Sequence, residues 1–380
     1  MDMSIDHRIP LSDFITLQRG FDLPTAQRKD GIVPVVASSG IAGYHNVAKV
    51  SGPGVVIGRS GSIGGGQFIA SDFWPLNTTL WVKDFKGNNP RFIYYLLRSI
   101  DFTRFNSGAG VPTLNRNHIT SLRIRRYGRP VQDRIVLVLS TYDDLIENNR
   151  RRILLLEQTA RLLYKEWFVH LRFPGHEHVK IKDGVPAGWK KRKIADICET
   201  AGGGTPSTNV SEYWDGDITW IVPTDVTKNN CLVLLSSERK ITEKGLRESS
   251  AKIVPANTIL MTSRASVGFF ALMDQEVCTN QGFINIIPHD DELRMYLLHN
   301  LISRVSEIRG NAKGSTYPEI SKGRFREMDI VVPSKPLIEA FADFTENLIR
   351  QIRCIKKQNV GLEAARNMLL PRLMNGEIAV

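Results

Sequence analysis

The chain carries one plan twice. Gly108-Ala109-Gly110-Val111-Pro112 compares with Gly314-Ser315-Thr316-Tyr317-Pro318 at an offset of 206 residues. Without a gap, the same offset pairs Ile124 with Ile330, Pro130 with Pro336, Ile146 with Ile352, Leu156-Glu157 with Leu362-Glu363 and Leu163 with Leu369. Upstream the offset is 204 at Ser62-Ile63-Gly64 against Ser266-Val267-Gly268, and 203 at Asn77 against Asn280. Near the starts, Leu11-Ser12-Asp13-Phe14 resembles Ile194-Ala195-Asp196-Ile197. A slowly drifting offset is what duplication followed by small loop insertions leaves. It predicts two copies of one supersecondary plan, and 380 residues are enough for two or three domains.

Each copy has two textures. The first part is rich in Gly, Pro, Ser and Asn, with short β-prone runs: Gly54-Val55-Val56-Ile57, Thr79-Leu80-Trp81-Val82, Asn257-Thr258-Ile259-Leu260-Met261 and Phe283-Ile284-Asn285-Ile286-Ile287. Short strands bounded by turn residues predict a mixed, mostly β globular domain. A helical piece accompanies each, at Pro90 to Ser99 and Asp291 to Ser306.

The last part of each copy starts on Pro130 or Pro336, where a helix-starting proline belongs. No Gly or Pro follows until Pro174 in the first copy, and only Gly361 and Pro371 interrupt the second up to Leu373. Apolar or seam positions recur at Val138, Tyr142, Leu145, Asn149, Leu156, Leu163 and Trp167, and at Phe344, Leu348, Ile352, Ile355, Leu362, Leu369 and Leu373. Steps of three, four and seven mark long amphipathic helices with coiled-coil-like seams. Residues 131 to 170 would span roughly 60 Å at 1.5 Å per residue. One such helix alone exposes its seam, whereas two copies bury theirs against each other. The expected fold is therefore α+β: two mixed, mostly β domains in pseudo-two-fold repeat, joined by two long antiparallel coiled-coil-like helices. The competing arrangement is two separate helices, each packed on its own domain.

The formal net charge is +11 and the pI about 9.5, an excess that favours a polyanionic partner such as nucleic acid. Residues 1 to 6 show no basic segment followed by an apolar run, and no uncharged apolar stretch approaches a membrane span, so the expectation is a cytoplasmic chain with no membrane partner. Cys198, Cys231, Cys278 and Cys354 form no CxxC pair and no metal spacing, and read as reduced thiols. Gly61-Ser62-Ile63-Gly64-Gly65-Gly66 and Gly202-Gly203-Gly204-Thr205 match neither GxxxxGK[ST] nor a clean GxGxxG between strand and helix. Asn89-Pro90-Arg91-Phe92 does not substitute for a methyltransferase Asn-Pro-Pro-aromatic signature, and no PD…ExK nuclease pattern stands out. His170, His176 and His178, with Glu177 between, read as an exposed linker rather than a metal site.

At this point the sequence resembles the specificity subunits of type I restriction-modification systems. Val185-Pro186-Ala187-Gly188-Trp189 followed by Ile194-Ala195-Asp196-Ile197 looks like the start of that family's second recognition domain. Gly58-Arg59-Ser60-Gly61-Ser62-Ile63-Gly64 and Ser263-Arg264-Ala265-Ser266-Val267-Gly268 resemble its mid-domain turn, and Thr279-Asn280-Gln281-Gly282 its second-domain loop. Leu362-Glu363-Ala364-Ala365-Arg366 through Leu369-Leu370-Pro371-Arg372-Leu373-Met374-Asn375-Gly376-Glu377-Ile378 looks like the end of its distal helix. The first copy departs from the pattern, with Ile9-Pro10-Leu11 in place of Pro-Ala-Gly-Trp. The resemblance implies target-recognition domains at 1–129 and 173–335 (173–188 a linker), a central helix at 130–172 and a distal helix at 336–380. It implies a non-catalytic chain that reads a bipartite double-stranded DNA target. Its partners would be two modification (methyltransferase) subunits and ATP-dependent restriction subunits. S-adenosylmethionine, ATP and Mg2+ would serve those partners, with no cofactor on this chain. A coiled-coil scaffold without DNA sequence preference is the rival from another class, and a nuclease or methyltransferase active alone is a third.

A DNA reader needs cations for phosphate and forked or amide side chains for base edges. Arg59, Ser60 and Ser62 on one glycine-rich turn, and Arg264 and Ser266 on its counterpart, supply guanidinium and hydroxyls. Asn77 and Thr78, with Thr279, Asn280 and Gln281, bring amides and hydroxyls. Thr113, Asn115 and Arg116, and Lys313, Ser315 and Tyr317, are the pre-helix candidates. Each also reads as a structural turn or a solvated surface group. The runs Lys190-Lys191-Arg192-Lys193 and Arg123 to Arg129 are candidates for a phosphate-facing rim, while Arg150-Arg151-Arg152 reads as a solvated helix face. Tyr142, Leu145, Asn149, Leu156, Leu163, Leu348, Ile352, Ile355, Leu362 and Leu369 are the expected helix-pair or partner contacts, with Asn149 fixing register.

Overall fold

The computed structural model describes residues 8–314 and 317–380. It divides into two compact units, one of Met1–Ile146 with Gly361–Val380 and one of Glu147–Val360.

In the first unit, four antiparallel strands run in the order Thr16–Arg19, Thr79–Asp84, Gly54–Gly58, Gly64–Ile69. In the second the order is Cys198–Gly202, Phe283–Pro288, Ile259–Thr262, Phe270–Leu272. The cross-strand register is shared. Val56 opposite Trp81, Ile57 opposite Leu80 and Gly58 opposite Thr79 return as Leu260 opposite Asn285, Met261 opposite Ile284 and Thr262 opposite Phe283. Both members of every pair move by 204 residues, the offset found at the glycine turn. The strands Gly54–Gly58 and Ile259–Thr262 are buried on both faces, with Val55 and Ile57 in one core and Val56 in another, and likewise Ile259 and Met261 against Leu260. A one-residue slip would exchange the two sets, so a shared register means a shared fold. Each unit also has a second sheet built on a parallel pair, Val35 with Trp74 in one and Trp220 with Cys278 in the other. A third ribbon recurs too: Ile9 pairs with Ile124, and Arg192 with Ile330.

The central helix spans Arg129–Tyr164 and closes in a π turn, Lys165–Val169; the distal helix spans Lys335–Met374. Both units take part of both helices into their cores. In the first, Ile135 and Leu139 meet Leu370, Leu373 and Met374 over a core that includes Phe14, Val55, Phe92 and Tyr95. In the second, Ile153, Tyr164 and Phe168 join Phe341, Ile349, Ile352 and Ile355 over Ile194, Ile286 and Tyr296. The helices run antiparallel within each unit, with Arg366 bonded to Asp143 in one and Asn149 donating to Asn359 at 2.8 Å in the other. Two independent helices, each on its own domain, are thereby excluded.

Two seam positions, Leu145 and Phe344, are corrected, because both side chains are exposed. Leu145 is 46 % exposed while Ile146 is buried. Tyr142, Asn149, Leu156 and Leu163 do lie buried or half-buried, but the second row is Leu139, Ile146, Ile153 and Ala160. A heptad seam alternates three- and four-residue steps, and after Tyr142 the step is four, which turns Leu145 outward. On the distal helix Leu348, Ile352 and Ile355 are buried, Leu362 and Leu369 half-buried, and Phe344 exposed. Burial pushes the Cys198 thiol up to about 12 and the Cys278 thiol up to about 11, the behaviour of inert core cysteines.

Candidate nucleic-acid interface

In the first unit the strands Gly54–Gly58 and Gly64–Ile69 meet in a tight turn at Arg59–Ile63. A Cβ on Gly58 would lie 1.9 Å from the Ser62 carbonyl oxygen, and Gly61 (φ 83°) and Gly64 (φ 76°) are left-handed, so glycine is required here. Backbone bonds strap two other loops to this turn. Arg59 N and Ser60 N donate to Thr78 O at 2.8 and 3.1 Å, Leu114 N donates to Arg59 O at 2.7 Å, and Gly61 N donates to Pro112 O at 2.9 Å. Arg59, Ser60, Ser62, Asn77, Thr78 and Thr113, far apart in sequence, thus converge.

Their side chains differ in availability. Arg59 Nη1 donates to Asn77 O at 3.4 Å, and among the described residues no carboxylate pairs with it. The Asn77 amide donates to Asp22, and the Thr78 hydroxyl is buried without a partner. Asn115 is a helix cap whose Oδ1 accepts from Asn117 N at 3.0 Å, while Arg116 donates to Leu17 O at 3.3 Å.

The second unit repeats the strap. Ser263 N donates to Gly282 O at 2.8 Å, Ala265 N to Pro318 O at 2.9 Å, and Ile320 N to Ser263 O at 3.0 Å. By register Ser263 stands where Arg59 stands, and Arg264 stands where Ser60 stands. The two turns each carry an arginine, but one position apart. Arg264 meets a carboxylate that sequence reading missed: its Nε and Nη2 donate to Glu319 Oε2 and Oε1 at 3.1 and 2.9 Å. That partner raises the guanidinium pKa further. Arg309, also missed, donates to Val267 O at 3.0 Å with its guanidinium 5.7 Å from the Phe269 ring centre. Both residues are invisible to a local pattern search, because only the fold brings them to the turn.

Among the remaining candidates, Ser266 and Lys313 are exposed and Tyr317 is 73 % exposed. Ser315 lies outside the described residues. Thr279 is fully buried, its hydroxyl accepting from the Asn285 amide at 2.8 Å, so it holds the loop rather than facing a ligand. Asn280 accepts from Gly282 N at 2.9 Å within its own turn, and exposed Gln281 accepts from Thr205. Lys190–Lys193 forms an exposed strand paired with Asp329–Val332. Cys198–Gly202 leads from that ribbon toward the turn, so the basic run and the turn sit at opposite ends of the strand. His176 and Glu177 approach to 3.2 Å, but among the described residues no group of three or more His, Cys, Asp or Glu is placed to hold a metal. No helix among the described residues is long and apolar enough to cross a membrane.

Each turn therefore offers an arginine and hydroxyls on rigid backbone, beside amides and further cations. Forked donors, amides and cations are the groups that read base edges and grip phosphate.

Comparison with known proteins points the same way. The family model described as type I restriction modification DNA specificity domain matches residues 8–158 and 186–364. The chain is 38 % identical over 195 residues to the type I restriction enzyme MjaIX specificity subunit of Methanocaldococcus jannaschii, covering 49 % of this chain and 45 % of that protein. It is 24 % identical over 357 residues to the HindI specificity subunit of Haemophilus influenzae, covering 76 % and 77 %. The first match thus spans less than half the relative's length. Among solved structures, the type I restriction-modification S subunit from M. genitalium superposes with a TM-score of 0.61 at 16 % identity, over 98 % of this chain and 97 % of that one. That likeness establishes the shared fold.

Proposed function

Because the chain belongs to the family of type I restriction-modification DNA specificity domains, we propose that it is the sequence-reading subunit of such a system, recognising a split double-stranded target with one domain per half. The observation that carries this reading is the duplicated turn: two hairpin tips in one register, each strapped to a second loop and each presenting an arginine. The reading domains are residues 1–129 and 173–335, and the long helices that follow them, Arg129–Tyr164 and Lys335–Met374, set the unread gap between half-sites.

The chain supplies address rather than chemistry. Two modification subunits dock on the helices, where Leu137 and Leu145 in the first unit and Leu154, Leu155 and Leu162 in the second are exposed. Such apolar side chains on a helix face suit a protein partner. S-adenosylmethionine serves the modification subunits, where base flipping and methyl transfer take place. ATP and Mg2+ serve the restriction subunits, and the assembly works in the cytoplasm.

The test is a domain exchange. Residues 173–335 are replaced by those of a relative with a different target, and methylated sites are mapped. One half of the recognised sequence changes and the other stays. A change in both halves, or in neither, refutes modular reading.

A further inference from the structure

We infer that Glu319 is a positioning residue that fixes the Arg264 guanidinium for reading one guanine in the half-site of the second unit, an inference that rests on the DNA-reading function proposed above. A guanidinium offers five N–H donors in a planar fork. Glu319 takes the side edge, through Nε and Nη2 at 3.1 and 2.9 Å. Among the described residues no partner takes the end edge, one N–H from Nη1 and one from Nη2. That pair of parallel donors matches O6 and N7 of guanine in the major groove.

The backbone fixes this geometry from both sides. Arg264 and Glu319 face each other across an antiparallel bridge, and the bonds from Ala265 N to Pro318 O and from Ile320 N to Ser263 O hold the two strands together. Ala265 sits at φ 61°, a left-handed conformation that disfavours a residue with a Cβ. Strain of this kind persists where surrounding structure holds it, and it clusters at binding sites. The pair is about half exposed, with side chains 46 % and 44 % accessible, so it is open to a ligand and contributes little to stability on its own. A carboxylate beside a DNA-facing turn repels phosphates. Its presence is explained if it restricts the arginine to one orientation.

The first unit lacks this device. At the matching bridge it has Ser60 opposite Thr113, and among the described residues the Arg59 guanidinium bonds to the Asn77 carbonyl and to no carboxylate. The effect is therefore confined to one half of the target.

The experiment is a binding selection on a randomised duplex library with the full chain purified in complex with its modification subunits. Wild type, Glu319→Thr, Glu319→Gln, Arg264→Lys and the Glu319→Thr/Arg264→Lys double variant are compared base by base. One position in the second half loses a guanine preference about tenfold or more in Glu319→Thr and in Arg264→Lys, with Glu319→Gln intermediate. The double variant is no worse than either single change, and the first half is unchanged. Tighter binding at all sequences in Glu319→Thr, with preferences intact, makes the carboxylate a bystander and overturns the inference. So does uniform loss with a lowered melting temperature, or loss at a position that is not guanine. A wild-type complex without preference in either half overturns the proposed function itself, and the positioning role with it.

Discussion

The contact between the distal helix and the first unit can be broken at one residue. Arg366 Nη1 donates to Asp143 Oδ1 at 2.5 Å, and the Tyr95 hydroxyl donates to Asp143 Oδ2 at 2.6 Å. The two charged side chains are 9 % and 19 % exposed. Burial, and then the bond to Asp143, push the Tyr95 hydroxyl well above its ordinary range, so it stays a donor at any working pH. In Arg366→Leu the carboxylate keeps Tyr95 but loses its cation. Removing one partner of a buried pair costs about 3–5 kcal/mol. Asp143 retains some solvent and one strong bond, which places the expected loss near the lower end, about 3 kcal/mol. Asp143→Leu/Arg366→Leu removes both charges and leaves only a bare hydroxyl, a penalty of about 1–2 kcal/mol. Adding Tyr95→Phe brings the chain back toward wild type. Native-state amide exchange at Leu139 and Tyr95 reads the stability of this unit directly. A single-variant loss below about 1 kcal/mol, or a double variant as costly as the summed singles, would refute the argument that an uncompensated charge drives the effect.

The seam correction predicts that Ile146→Ala costs about 2–5 kcal/mol and Leu145→Ala less than about 0.5 kcal/mol, measured by denaturant unfolding; equal costs would restore the original seam. His299, whose pKa burial lowers from 6.5 to about 4, is neutral in the folded chain. Its contribution is present above pH 6.5 and is lost as pH falls toward about 4, up to about 3 kcal/mol in total. His299→Phe should flatten the stability profile across that window, and an unchanged slope refutes it. Glu157 is raised by burial although it accepts from Leu232 N, so its contribution is lost as pH rises through the raised value. Glu157→Gln should therefore raise the melting temperature at pH 7 and not at pH 4. DNA affinity should fall steeply with salt, log K against log[salt] having a slope of about −0.9 per phosphate contacted; a flat titration would remove phosphate contact from the mechanism.

Features that repeat along the chain were legible, and features made by contact across it were not. The 204-residue offset at Ser62-Ile63-Gly64 reappears as the shared strand register, because strand pairing preserves spacing. The helices could be read because seven-residue periodicity is local. Leu145 and Ile146 are both apolar, and only the packed partner decides which one faces inward. Glu319 has no sequence signal: it lies 55 residues from Arg264 and meets it through a bridge. The Lys190–Lys193 run is basic enough to suggest a phosphate rim, yet composition does not say which end of a strand a charge occupies.

A duplicated fold faces a problem that a single domain does not: each unit offers a cradle suited to the other's helical segments. The two cradles differ in chemistry where the helices enter. At the offsets that align the units, Tyr95 corresponds to His299, Asp143 to Ile349 and Arg366 to Ala160. The first unit holds a hydroxyl, a carboxylate and a guanidinium bonded together; the second holds a neutral buried imidazole, an isoleucine and an alanine. Setting the Arg366 segment into the second cradle would bury a guanidinium against Ile349 with no carboxylate to meet it. Setting the Ala160 segment into the first would leave Asp143 without its cation. Either error carries the cost of an unpaired buried charge, several kcal/mol, which is a large share of a domain's net stability. The correct arrangement needs no unusual strength when the wrong ones are this unfavourable.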